Sequence, residues 1–196
     1  MTPGPIESLQ WFYGVILALA VTEALSQFAK ETCDSSTASP PSQKIWRRCF
    51  DPGRVPALIS VIVLVVPFFH GMNLYLSQTY VNADRGLLLL DIGVFTIEAA
   101  VIFLLSRQMR RSQWREFYFL YGVILLLDAM WGWGVYFAHG APTMWWAGIN
   151  TVTFPILWLV IRRGRKWTFA WALLCAVVVV RTFLDYWLNW NWYFPK

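Results

Sequence analysis

Arg181 stands near the middle of a run that is otherwise apolar from Trp167 to Val180. A guanidinium in hydrocarbon costs on the order of 3 kcal/mol, so it must face protein and meet an acid. Asp185 follows four residues later on the same helical face, with Asn189 one turn beyond. The other apolar runs carry His70, Asn73, Asp91, Glu98, Asp128 and Asn150. The ionisable members are mostly acids, and Arg181 is the only fixed cation at depth. Carboxyls gathered around one guanidinium can bind an ion, relay a proton or orient a polar ligand. The same set also has a structural reading. Asp185 with Asp128 or Glu98 would neutralise Arg181, while His70 and Asn150 would tie helices together at about 0.6 kcal/mol per bond.

The elements that must position these residues are membrane spans. The chain has 196 residues, 58% of them hydrophobic and 14% charged, which excludes an ordinary soluble domain of this size. Apolar runs of about 20 residues predict an all-α integral membrane protein, a single domain over 1–196 built as a six-helix bundle with short loops. The spans are expected at 10–29, 55–76, 87–106, 117–138, 144–161 and 167–190. The one long connection, 30–54, is rich in Ser, Pro and charge and is expected to be irregular. In the first span Glu23, Ser26, Gln27 and Lys30 share a face. Pro67 and Pro155 each remove a backbone donor inside a span, leaving carbonyls for other partners. A short recurrence, Tyr13–Leu17 against Tyr121–Leu125, raises the idea of two three-helix halves.

Six spans place the loops after the first, third and fifth on one side. That side holds Lys30, Lys44, Arg47, Arg48 and Arg54, then Arg107, Arg110, Arg111 and Arg115, then Arg162, Arg163, Arg165 and Lys166. The other side holds Arg85 and Lys196. The positive-inside rule makes the basic side cytoplasmic and puts both termini on the non-cytoplasmic side of a cell (inner) membrane. Tryptophans fit that frame. Trp11, Trp133, Trp145, Trp146, Trp187, Trp190 and Trp192 would line the outer boundary, and Trp46, Trp114 and Trp167 the inner one.

Met1 to Gln10 has no Lys or Arg, so the first apolar run is expected to remain as a span rather than be cleaved. Cys33, Cys49 and Cys175, with His70 and His139 far apart, have no zinc-type spacing, and no metal or other cofactor is expected. No phosphate-cradling glycine loop or catalytic triad order appears, so the chain is read as a non-enzyme, with no nucleic-acid partner.

These features predict a small oligomeric channel or transporter for a proton, an ion or a small polar solute. Arg181 and Asp185 would set its electrostatics, Glu98 and Asp128 would carry midplane charge, and His70 with Asp91 would guard the outer entrance. The alternative is a sensor or anchor subunit for a soluble cytoplasmic partner, as in a stress-response or antiviral defence system. Its contacts with that partner, or with lipid headgroups, would be made by Arg47, Arg48, Arg110, Arg111, Arg162 and Arg163. A lipid-acting enzyme is the third reading, and it lacks an obvious nucleophile.

Overall fold

In hydrocarbon a backbone N–H finds no water, so an apolar run satisfies itself as a helix. The computed structural model describes residues 4–33, 53–80, 88–109, 113–139, 143–163 and 169–194, which are all-helical with no strands among them. The helices are α1 (Pro5–Cys33), α2 (Arg54–Thr79), α3 (Leu88–Gln108), α4 (Trp114–His139), α5 (Met144–Arg163), α6 (Ala170–Leu188) and the single turn α7 (Trp190–Tyr193). The first six are long and apolar enough to cross a membrane. Even α6, with 19 residues, reaches roughly 28 Å, close to a hydrocarbon core.

The helix bounds depart from the apolar runs at both ends of the chain. α1 starts five residues before its predicted span, because Glu7 reaches back to accept from the Gly4 N–H at 3.1 Å and Ser8 donates to the Gly4 carbonyl. At the other end Asn189 interrupts the last span: its N–H still donates to the Asp185 carbonyl, and its own carbonyl starts α7. The long connection expected at 30–54 lies mostly outside the described residues.

Packing arranges the six spans as a closed ring, in the order α1, α2, α6, α5, α4, α3 and back to α1. Side-chain bonds stitch neighbours together. Tyr13 donates to the Ile92 carbonyl at 3.0 Å and Gln10 to the Asn73 carbonyl at 3.0 Å, while across the ring Ser60 on α2 meets Tyr118 on α4 at 3.1 Å. Pro67 cannot donate to the carbonyl four residues back, Val63. Thr182 on α6 does so instead, at 2.9 Å, which repairs the ladder of α2 and ties it to α6. The carbonyl that Pro67 leaves over is thus taken by a protein hydroxyl. Gly71 permits a second close approach: a Cβ there would stand 2.8 Å from the Trp146 ring.

The recurrence of Tyr13–Leu17 does not extend to the packing. α1 lies against α2 and α3, whereas α4 lies against α5 and α3 and has no comparable contact with α6. The outside of the bundle is apolar, and polar and charged side chains are buried within an otherwise apolar core. Leu89 (79%), Phe137 (76%) and Trp11 (74%) stand exposed, while Glu98, Asn150 and Asp185 are fully buried. An apolar outer face fits a hydrocarbon solvent rather than water.

Candidate functional site

The charged core is built where α4, α5 and α6 meet. On α6, one helical turn puts Arg181 and Asp185 on the inner face, and both are buried. The Arg181 guanidinium lies 3.6 Å from an Asp185 carboxylate oxygen and 3.6 Å from Asp128 Oδ2 on α4. Its Nε donates to Asn150 Oδ1 on α5 at 2.8 Å. Asn150 Nδ2 in turn donates to Asp128 Oδ2 at 2.5 Å, and Trp146 Nε1 donates to the same oxygen at 2.5 Å. Asp185 receives Asn189 Nδ2 at 2.9 Å and the Tyr193 hydroxyl at 3.2 Å. One guanidinium therefore joins three helices, through one charge-assisted hydrogen bond to Asn150 and two ion pairs.

Glu98 on α3 completes the charge count. It is fully buried and lies within electrostatic reach of Asp128 and Arg181. Neither of its carboxyl oxygens has a hydrogen-bond partner among the described residues, and Asp128 Oδ1 and the Tyr121 hydroxyl are in the same condition. Three buried carboxyls thus share the field of a single guanidinium among the described residues.

The remaining predicted residues lie elsewhere. Asp91 is buried near the start of α3 and accepts from Tyr75 at 3.1 Å, from Trp131 Nε1 at 2.8 Å and from Tyr80. Tyr80 stands just past the end of α2, where burial and then the Asp91 carboxylate push its hydroxyl pKa up, so it stays a donor. The Asp91 carboxylate is thus held by aromatic donors. His70 is half-buried; its Nδ1 is 3.4 Å from the Tyr186 hydroxyl, and its ring centroid is 5.0 Å from that of Tyr193. With Asn73 it lines a groove of about 630 Å³ between α1 and α2. Tyr193 is the link from this groove inward, because its hydroxyl reaches Asp185.

Several site residues depart from the sequence reading. Trp146, expected at the outer boundary, is instead buried and donates to Asp128. A signal for it exists, since it precedes Asn150 by four residues, the spacing that links Arg181 to Asp185. Trp114, expected at the inner boundary, is also buried. Tyr75, Tyr80 and Trp131 give no signal distinct from core packing. Of the basic residues, Arg47, Arg48, Arg110 and Arg111 lie outside the described residues. Arg162 and Arg163 are exposed at the end of α5, with Arg162 over the Trp158 ring at 5.1 Å. Among the described residues no group of three His, Cys, Asp or Glu side chains is placed to hold a metal ion.

Six apolar helices around a buried ion-pair network fit a multi-pass helical membrane protein. Comparison with protein-family models, with curated proteins and with solved structures finds no match to this chain.

Proposed function

We propose that this chain is a small oligomeric carrier or channel that moves protons, or an ion or small polar solute coupled to them, through the Arg181 core. The observation that carries this reading is Glu98: a fully buried carboxyl whose oxygens have no donor among the described residues, beside an ion-pair network already rich in acid. A buried charge without a partner costs several kcal/mol, so a carboxyl placed there works by gaining and losing a proton. Asp128, with one oxygen holding two hydrogen bonds and an ion pair and the other without a partner among the described residues, is the natural second acceptor. Tyr193 and His70 lead from Asp185 to the groove between α1 and α2, a route for exchange with the non-basic side. The bundle would sit in the cell (inner) membrane with its basic end cytoplasmic and both termini outside.

The test is proton flux. Liposomes holding the purified chain, with a pH-sensitive dye inside and a potassium gradient clamped by valinomycin, should acidify faster than protein-free liposomes. Glu98→Gln should abolish the difference while leaving a monodisperse protein. A dye response equal to that of empty liposomes would overturn the reading.

A second reading keeps the chain as a sensor or anchor subunit for a soluble protein. What favours it is that Arg181 ties α4, α5 and α6 together through Asp128, Asn150 and Asp185, as a packing device does. Co-purification with a soluble protein, lost in Arg47→Gln/Arg48→Gln, would support it.

A further inference from the structure

We propose that the basic end of the α4–α5 pair is a binding site for an anionic phospholipid, with the phosphate between Arg115 and Arg162 and an acyl chain against Phe119, Trp158 and Ile161. These five residues and Glu116 line one groove of about 450 Å³. The two arginines outnumber the single acid, so the mouth carries net positive charge. Neither arginine is in an ion pair with a described residue. Arg162 is held over the Trp158 ring at 5.1 Å, which orders the guanidinium while leaving its donors available.

The vertical order of the groove matches a lipid. Phe119 lies four residues into α4 from Arg115, and Trp158 lies four residues into α5 from Arg162. Charge therefore sits at the helix ends, and aromatic surface begins about 6 Å deeper. Phe119 and Trp158 are exposed, at 55% and 43%, although they flank a charged mouth. A soluble anion would use the arginines and leave these rings bare; a phospholipid uses both. The groove also opens beside the N-terminus of α4, whose first-turn N–H groups favour a phosphate. An anionic lipid near two arginines is held more tightly than a zwitterionic one.

Native mass spectrometry of the full chain in detergent separates the possibilities, with dioleoyl phosphatidylglycerol titrated against dioleoyl phosphatidylcholine. The wild type should retain phosphatidylglycerol about tenfold more tightly. Arg115→Gln/Arg162→Gln should reduce that preference to near one. Arg163→Gln, which removes a neighbouring charge that does not line the groove, should leave most of it. Millimolar inorganic phosphate should not displace the lipid. Equal retention of the two lipids by the wild type, an equal loss in Arg163→Gln, or displacement by phosphate alone would each overturn the proposal. Because the readout is lipid retention, it stands or falls apart from proton flux.

Discussion

Asn150 accepts the Arg181 Nε proton at 2.8 Å, so a neutral amide, not a carboxylate, makes the shortest contact of the buried guanidinium. Its amide can face only one way. Arginine has no acceptor and an ionised aspartate has no donor, so Oδ1 must point to Arg181 and Nδ2 to Asp128. Asn150→Leu strands a donor and an acceptor together and should cost about 2–6 kcal/mol, at roughly 1–3 kcal/mol for each lost partner. Asn150→Asp keeps the Arg181 contact but sets a carboxylate against Asp128. Thermal unfolding in detergent should rank wild type above both variants; an unchanged midpoint in Asn150→Leu would remove Asn150 from the network.

Arg181 is the residue on which assembly turns. Removing one partner of a buried ion pair costs about 3–5 kcal/mol, because the other charge stays behind. Arg181→Leu should therefore lower expression and broaden the gel-filtration peak. Arg181→Leu/Asp128→Asn removes one of the abandoned charges and should recover part of the loss. If the single variant behaves as wild type, the guanidinium is not the keystone of the core.

The Thr182 hydroxyl and the Val63 carbonyl make a narrower claim. Thr182 fills the place of the N–H that Pro67 lacks. Thr182→Val should cost about 1 kcal/mol in the native sequence. In a Pro67→Ala background the restored backbone N–H can donate to Val63 itself, and the same change should cost less. A double-mutant cycle reads this coupling directly. Identical costs in both backgrounds would mean that Thr182 does not repair the proline gap.

How much of this is legible in the sequence differs by level. The six spans are, because an apolar run of some 20 residues has few other uses. The Arg181–Asp185 pair is, because four residues fix a shared face. Whether Asp128 or Glu98 meets Arg181 stays open in the sequence, since that choice depends on which helices adjoin. The ring order sets α5 between α4 and α6, and it leaves Glu98 on α3 without a hydrogen bond among the described residues. Sequence periodicity carries no information on helix order. Tryptophan misleads for a related reason. A boundary ring and a buried indole donor share one residue type, and only the acceptor, Asp128 for Trp146 or Asp91 for Trp131, tells them apart.

The α7 turn closes the C-terminal end of the core through Tyr193, and its pH dependence has a definite sign. Tyr193 is buried against His70 and Tyr186, beyond the last span, and its hydroxyl donates to Asp185. Burial first, then the Asp185 carboxylate, holds its pKa well above the ordinary value. A raised pKa stabilises the protonated form. The contribution is thus complete below the unfolded tyrosine value of about 10 and is lost as pH rises from there through the folded value. Tyr193→Phe keeps the ring packing and removes only the donor, at a cost of roughly 1–3 kcal/mol for a bond to a charged acceptor. The difference in unfolding midpoint between wild type and Tyr193→Phe should be level from neutral pH to about 10 and then shrink. Groups common to both proteins cancel in that difference. A gap that widens above pH ~10 would mean that the hydroxyl is not Asp185's donor, and that α7 is held by its rings alone.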